Sequence, residues 1–421
     1  MKRFLLPVCS LLVIALTGIT PPASAQSVEG YLYGRVALRN GDTFEGPIRW
    51  GDDEVFWLNI FNSTKIENTL ERFRDDLPDY HRLMDEIYDE HDRSRDRRRV
   101  SILGYLIGDD GTFMTDREFS CHFGDIRRLD IRWSDGVLLT LKNGEQLELE
   151  GGSTDIGATV HVLDDELGEV KLPWRGIDFV EFLATPSRLR RTYGEPLYGV
   201  VQSRLGSFAG LIQWDSDERL GSDVLDGDSE YAEMEIEFSE IAAIERRERG
   251  SLVTLNSGRE YFLTGSNDVN RENRGIIVNT PDVGSVTIGW RDFDRVDFAD
   301  ARDSGPGYNS FAPTTFIEAT VRTWNDETFS GRIFYDLDEA FDFEMLNGDN
   351  EDCEFLIPFR NIASITPERR WGSTVHLKND LELRLDGSND IDESNDGIVI
   401  WSGSDSPRYF LWSDVREIVF R

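Results

Sequence analysis

A nine-residue signature that occurs three times constrains the fold of this chain more than any other feature. It reads Trp-x-x-apolar-x-x-apolar-x-Phe and begins at Trp174, Trp290 and Trp412. An alternating apolar pair precedes each copy, such as Val286 and Ile288 before Trp290. A spacing of two indicates a β-strand, whereas a spacing of three indicates one tight helical turn. Each copy therefore predicts a strand, a one-turn helix and a final strand.

The three segments that end in this signature also begin alike, with two alternating strands joined by a hairpin turn. The turn pairs are Asn143-Gly144, Ser257-Gly258 and Asn379-Asp380, which tolerate positive φ. Charged residues alternate with the apolar ones along these strands. One face of each hairpin is therefore expected in the core and the other in water.

A related module type fills the gaps between these segments and ends in the same helical-turn signature, with Phe in place of Trp. Its copies open at Val36, Val200 and Val321 and close at Phe123, Phe238 and Phe359. The sequence thus predicts two alternating module types in three pairs, with a period of about 120 residues.

A strand-rich unit of about 50 residues, with a hairpin, a one-turn helix and a final strand, resembles the SH3-like and Sm-like small β-barrels. The resemblance covers most of the chain and implies an all-β fold of tandem small antiparallel barrel or sandwich modules. The residues with which Sm-type barrels bind nucleic acid are not recognisable, so the resemblance supplies no function. Two modules of a pair could instead form one larger sandwich or barrel.

Composition shifts set the predicted domain boundaries. Residues 28–186 form the first module pair, 194–300 the second and 316–421 the third. A linker is predicted at 301–315, where Gly, Pro, Asn and Ser are frequent.

Residues 66–99 depart from the strand pattern and interrupt the first module. Apolar residues recur at spacings of three and four from Leu70 to Tyr88, which predicts one or two amphipathic helices with a break at Pro78. The segment ends in a basic cluster of Arg93, Arg95, Arg97, Arg98 and Arg99. Two interpretations stay open, a partner-binding arm or lid and an internal tether to acidic neighbours.

The N-terminus predicts export. Lys2 and Arg3 precede an apolar run, and Ala23-Ser24-Ala25 has the small-x-small pattern of a signal peptidase site. A signal peptide of residues 1–25 predicts a periplasmic or secreted protein. No later segment is apolar over the ~20 residues that a spanning helix needs, so we expect no integral membrane protein after cleavage.

A strong negative charge limits the classes of partner. The chain has 45 basic and 80 acidic residues, a net charge of −35. Such a field repels phosphate backbones, so we expect no nucleic-acid partner, whereas a protein with a cationic surface is compatible with it. After cleavage only Cys121 and Cys353 remain, and the sequence does not show whether they pair.

Two Asx-rich loops are the candidate metal sites and provide the only cofactor prediction, calcium. They occupy the same place in the second and third pairs, and alternating oxygen-bearing side chains of this kind suit calcium. The candidate ligands are Asp268, Asn270, Asp390, Asp392 and Ser394. Asx turns that cap their own backbone explain the same pattern.

No residue is predicted to be catalytic, because the chain has neither a G-x-S-x-G nor an H-E-x-x-H motif. Trp174, Trp290 and Trp412 could stack on carbohydrate, although their fixed place in the signature favours the core. The sequence favours a non-enzymatic exported protein that binds or scaffolds. The alternatives are a calcium-stabilised adhesion or matrix protein, and a carbohydrate-active or peptidase-related enzyme with an unrecognised site.

Overall fold

Antiparallel β-strands form nearly all of the regular structure. The computed structural model describes residues 27–97, 118–133, 135–151, 155–299, 304–368, 372–403 and 405–421, with only the backbone at 91–97. The predicted all-β class with one α-helical insertion is confirmed. Residues 1–26, which include the predicted signal peptide, lie outside the described ranges.

Among the described residues, the range of each predicted pair contains ten strands, and the first range also contains two α-helices. The first pair contains β1 (Tyr33–Leu38), β2 (Thr43–Trp50), β3 (Ile60–Lys65), α1 (Thr69–Arg72), α2 (Tyr80–Arg97), β4 (Glu118–His122), β5 (Ile126–Trp133), β6 (Gly136–Leu141), β7 (Gln146–Glu150), β8 (Val160–Asp164), β9 (Gly168–Leu172) and β10 (Ile177–Phe182). The second pair contains β11 (Tyr198–Ser203), β12 (Gly206–Gln213), β13 (Val224–Asp228), β14 (Glu233–Glu237), β15 (Ile241–Arg247), β16 (Gly250–Leu255), β17 (Glu260–Leu263), β18 (Ile276–Thr280), β19 (Gly284–Ile288) and β20 (Phe293–Phe298). The third pair contains β21 (Glu318–Thr323), β22 (Thr328–Tyr335), β23 (Met345–Asn350), β24 (Cys353–Pro358), β25 (Ile362–Pro367), β26 (Ser373–Leu377), β27 (Glu382–Leu385), β28 (Ile398–Trp401), β29 (Arg408–Phe410) and β30 (Val415–Phe420).

Most strands of the two modules in a pair interleave in one antiparallel sheet, except that β13 and β14 form a separate two-stranded sheet and β23 and β24 join the sheet of the second pair. The first sheet has the central order β7-β6-β5-β10-β1-β2-β8-β9, and the other two follow it as β17-β16-β15-β20-β11-β12-β18-β19 and β27-β26-β25-β30-β21-β22-β28-β29. The last strand of the second module, β10, lies between β1 and β5 of the first. The two modules of each pair therefore share their sheet.

The predicted helical turn is present before the closing strand of the modules. Five copies form a 3-10 turn, at Phe123–Asp125, Trp174–Gly176, Phe238–Glu240, Phe359–Asn361 and Trp412–Asp414. At Trp290 a hydrogen-bonded turn replaces it, in which the backbone N–H of Phe293 donates to Gly289 O at 3.0 Å. Trp174 and Trp412 are each 6% exposed, as expected for core residues, whereas Trp290 is half-buried.

The helical insertion is packed inside the molecule along its apolar face. The chain leaves α1 at Arg72 and re-enters a helix at Tyr80, which places the predicted break around Pro78. Phe73 lies 5.4 Å, between ring centroids, from both Phe316 and Phe334 of the third pair. These contacts tether the first pair to the third. Of the basic cluster, Arg98 and Arg99 lie outside the described residues, as do the side chains of Arg93, Arg95 and Arg97.

Each pair also contacts the other two. Strand β24 of the third pair joins the sheet of the second pair by pairing with β19, with Val286 opposite Phe355. The Tyr31 hydroxyl of the first pair donates to Gly194 O at the start of the second. Ser304, in the predicted linker, is fully buried and its Oγ accepts from the backbone N–H of Gly30 at 2.8 Å.

The two cysteines of the described chain are buried free thiols. Cys121 lies on β4 and Cys353 on β24. Within the ranges given above, no helix combines the length and the apolar character that membrane crossing requires.

Candidate functional site

Three aspartates in equivalent loops make the same two hydrogen bonds. The carboxylates of Asp155, Asp268 and Asp390 accept from the backbone N–H groups of Asn62, Asp226 and Asn347, at 2.8, 2.7 and 2.6 Å. Their carbonyl groups accept from the side chains of Trp50, Trp214 and Tyr335, at 2.8, 2.9 and 2.5 Å. Each aspartate therefore connects its own loop to a neighbouring strand and to a core aromatic residue.

The other predicted calcium ligands cap their own loops. The Asn270 side-chain oxygen accepts from the backbone N–H of Glu272 at 2.7 Å. One carboxylate oxygen of Asp392 accepts from both the backbone N–H and the hydroxyl of Ser394, at 2.7 and 2.5 Å. These contacts are the Asx turns that the sequence offered as the alternative explanation.

The structure brings Asp268 together with two further carboxylates in a tight group. One oxygen from each of Asp215, Glu218 and Asp268 lies within 4.8 Å of the other two. Asp215 and Ser216 have φ values of 48° and 60°, so the chain reverses tightly after Trp214. This left-handed turn brings Glu218 next to Asp215, three residues earlier. We call these three residues the second-loop triad.

Burial and mutual repulsion favour protonation in the second-loop triad. Burial, followed by the charge of Asp268, raises the pKa of Glu218 to about 8. Burial raises the pKa of Asp268 to about 6, against the bond from the Asp226 N–H. A bound divalent cation would favour the ionised forms of both carboxyl groups.

Asp215 has a countercharge from its own loop. The Arg274 guanidinium donates to the Asp215 carboxylate through Nη2 at 2.9 Å and Nε at 3.2 Å, and it also bonds Asp217. Asp215 is fully buried, whereas the Arg274 side chain is 51% exposed. The hydrogen bonds to Asp215 and Asp217 raise the pKa of Arg274 further above its usual range.

The equivalent place in the third pair is formed by Asp336, Glu339 and Asp390, and Glu339 is buried where Glu218 is only half-buried. Burial raises the pKa of Asp336 and of Glu339 well above the ordinary values, and neighbouring carboxylates add to both shifts. One oxygen of Glu339 is buried without a hydrogen-bond partner within the described part of the chain. Asp396 stands where the second pair has Arg274, so this loop has no arginine of its own at that position.

The cation beside the acidic residues of the third pair is Lys65, which comes from the first pair. Lys65 Nζ lies 2.7 Å from Glu344 Oε1 and 3.2 Å from Asp338 Oδ2, and it donates to Asp338 O at 2.9 Å. All three side chains are only 4% exposed. Burial alone would lower the pKa of Lys65, but Asp338 and Glu344 outweigh burial and raise it. Lys65 therefore stays charged inside the protein.

The sequence did not identify Asp215, Glu218 or Lys65. Glu218 is adjacent to Asp217 in the sequence, but it converges with Asp215 and Asp268. The Asp-x-x-Glu spacing after Trp214 predicts that Asp215 and Glu218 converge if the chain makes a left-handed turn there. Nothing near Lys65 in the sequence indicates its partners, which lie more than 270 residues further along the chain.

No protein-family model matches this chain, and no curated protein or solved structure matches it significantly. The function therefore has to be inferred from its own geometry.

Proposed function

We propose that this protein is a non-catalytic binding or scaffolding protein of the bacterial envelope or the extracellular space. The observation that carries the proposal is the way in which the three pairs are connected. Buried side chains connect the first pair to the third, and strand pairing connects the second to the third. Surfaces on different pairs are thereby held at fixed relative positions, which suits a scaffold.

The buried ion pair between Arg360 and Asp125 supports the same interpretation. The guanidinium of Arg360, in the third pair, makes two bonds of 2.6 and 2.8 Å to the Asp125 carboxylate of the first pair. Asp125 is 1% exposed, and paired bonds of this kind fix orientation as well as distance. Burial raises the pKa of Asp125, and the Arg360 guanidinium opposes that shift.

A partner-capture experiment tests the binding role. The mature chain, residues 26–421, is immobilised and exposed to envelope extract, beside a variant with Arg93, Arg95 and Arg97 changed to Glu. A matched variant carries Arg127→Glu, Arg132→Glu and Arg175→Glu, which reverses three exposed arginines elsewhere in the first pair. We expect a defined partner that only the first variant loses. Retention of no partner, or equal losses in both variants, would contradict the role of the basic cluster.

A calcium-stabilised adhesion or matrix protein is the second candidate, and the convergence of the second-loop triad favours it. Three carboxylate oxygens within 4.8 Å of one another resemble part of a hard-cation ligand set. Asp268 belongs both to the predicted ligand set and to this triad, which supports the second candidate.

Thermal unfolding with calcium or with a chelator tests this candidate. Binding to the folded chain alone raises Tm, and a concentration of 100 times Kd adds about 2.7 kcal/mol. We expect Glu218→Gln to remove the shift and Glu327→Gln, an exposed control, to leave it unchanged. An unchanged Tm of the natural chain in millimolar calcium would refute a structural calcium site.

A further inference from the structure

A large open cavity lies between the second and third pairs, beside the β19–β24 junction. Its volume is about 1090 Å³. The second pair lines it with five arginines, which are Arg246, Arg247, Arg271, Arg274 and Arg291. The third pair faces them with acidic residues of the β23–β24 hairpin, which are Asp349, Glu351, Asp352 and Glu354. A cavity of this size holds several rings of an extended ligand.

The charges of this lining balance, and most of them are already paired. Glu248 adds a fifth acid, so five arginines face five carboxylates. Arg291 lies 2.8 Å from Asp352, and Arg246 lies 3.2 Å from Asp294. An ionic ligand would have to compete with these pairs. Each guanidinium nevertheless has five N–H donors and each carboxylate several lone pairs, so donors and acceptors remain for uncharged hydroxyl groups.

Trp290 gives the cavity an aromatic surface. Trp174 and Trp412, at equivalent positions, are buried, whereas Trp290 is half-buried and lines the cavity. Its ring packs against Trp214, at 6.3 Å between centroids, and Phe293, at 5.4 Å. The indole is thus held by the core, and its exposed part offers apolar area to a ligand.

Asn273 supplies an independent indication of a ligand. It lines the cavity, is 8% exposed, and its Nδ2 is buried with no hydrogen-bond partner in the described chain. The equivalent amide of Asn395 donates to Asp390 O at 3.1 Å. A buried donor without a partner costs about 1–3 kcal/mol, and a small movement of this amide toward the cavity would let an acceptor on a ligand recover that cost.

We infer that this cavity binds a neutral oligosaccharide. A sugar ring presents an apolar face to an aromatic residue and hydroxyl groups, each both donor and acceptor, to the paired charges around it. The inference deepens the binding role proposed above but rests on a different surface from the arginine cluster at residues 93–99. Loss of partner capture and loss of sugar binding are therefore separate outcomes.

Calorimetry and tryptophan fluorescence of the mature chain test the inference. The neutral probes are cellohexaose, maltohexaose, laminarihexaose and chitohexaose, and the charged probes are hexagalacturonate and hexalysine. We expect a neutral probe to bind, with at least tenfold weaker binding in Trp290→Ala and severalfold weaker binding in Arg271→Ala. Trp324→Ala, at a tryptophan that is 44% exposed elsewhere, serves as the control with unchanged affinity.

Arg271→Ala also serves as a control for misfolding, because Arg271 is exposed and its truncation should leave the core intact. Its weaker binding with an unchanged Tm would support the site even if Trp290→Ala unfolds. The inference is overturned if no neutral probe binds at 10 mM or if Trp290→Ala and Arg271→Ala both bind like Trp324→Ala. Binding of the charged probes alone would equally overturn it.

Discussion

The Asx-rich loops of the second and third pairs share a sequence, but the negative charge at each loop is balanced by a different cation. Both read Gly-Ser-Asn-Asp, at 265–268 and 387–390, and both aspartates accept from a neighbouring strand. In the second pair the cation is Arg274, from the same loop and half exposed. In the third pair the cation is Lys65, which is buried, comes from the first pair and binds Asp338 and Glu344 beside the loop. The countercharge of one loop is thus local, whereas that of the other is in place only when the first and third pairs pack together.

This difference separates two uses of one motif. A loop with its own arginine can remain accessible and available for a cation or ligand. A loop whose countercharge comes from another pair is part of an inter-pair contact, and its stability depends on that contact. The motif alone is therefore a poor guide to function.

Replacement of Lys65 by Met should give the largest effect. It leaves Asp338 and Glu344 buried without their cation, and breaking a buried ion pair in this way costs about 3–5 kcal/mol. Urea unfolding measures the loss of free energy, with exposed Lys171→Met as the control. A loss of unfolding free energy below about 1 kcal/mol would mean that the acidic loop of the third pair does not depend on the first pair.

The two loops should also differ in their response to pH. Because the folded pKa of Glu339 is raised, the folded chain holds a proton that the unfolded chain releases above about pH 4.5, so stability falls as pH rises through the folded pKa. Glu339→Gln should therefore gain stability over the natural chain with rising pH, by about 1.4 kcal/mol per unit of pKa difference. Glu218→Gln should show a weaker trend between about pH 4.5 and 8, since Glu218 is less buried.

Urea midpoints at pH 5, 7 and 9 measure both trends, and Glu327→Gln provides the exposed control. Parallel pH curves for Glu339→Gln and the natural chain would show that Glu339 ionises freely in the folded protein.

Replacement of Arg274 by Ala should cost less than the loss of Lys65. The Asp215 carboxylate keeps the bonds from the backbone N–H of Arg274, at 2.6 Å, and from Asn267 Nδ2. Because the arginine is half exposed, we expect a loss of about 1–2 kcal/mol, below that of a buried pair. Thermal and urea unfolding measure it beside Arg291→Ala, whose exposed pair should contribute less than about 1 kcal/mol. A loss equal to that of Lys65→Met would remove the distinction between the loops.

The smallest predicted difference concerns the asparagine that closes each loop. The Asn395 side chain donates to Asp390 O and accepts from Gly397 N–H, whereas the Asn273 side chain, among the residues that the structure describes, only accepts, from Gly275 N–H at 3.0 Å. Asn395→Ala should therefore destabilise the chain by about 1 kcal/mol more than Asn273→Ala. Equal losses would indicate that the Asn273 amide has a partner in solution.

The strand pattern and the turns were predictable from the sequence, because both depend on residues that are close together in the sequence. Alternation placed Val286 and Ile288 on a strand, and both are buried on β19. The triplet spacing predicted the 3-10 turn at Trp174. The interleaving of modules was not predictable, since β10 could pair with strands of its own module or of the other with the same local pattern.

The candidate sites were predictable only in part. Asp268 was identified as an acidic loop residue, but its neighbours Asp215 and Glu218 depend on a left-handed turn that the sequence does not specify. Trp290 was expected in the core with Trp174 and Trp412, and its partial exposure arises where the third-pair hairpin leaves a cavity beside β19.

By itself the sequence determined that this chain is a β-protein with a helical insertion, because periodicity and turn chemistry act over a few residues. The tertiary structure decided which carboxylates meet and where their countercharges originate. Lys65 and Asp338 lie 273 residues apart, and only packing of the first pair on the third joins them. Electrostatic contacts act through space, so a local sequence pattern cannot specify them.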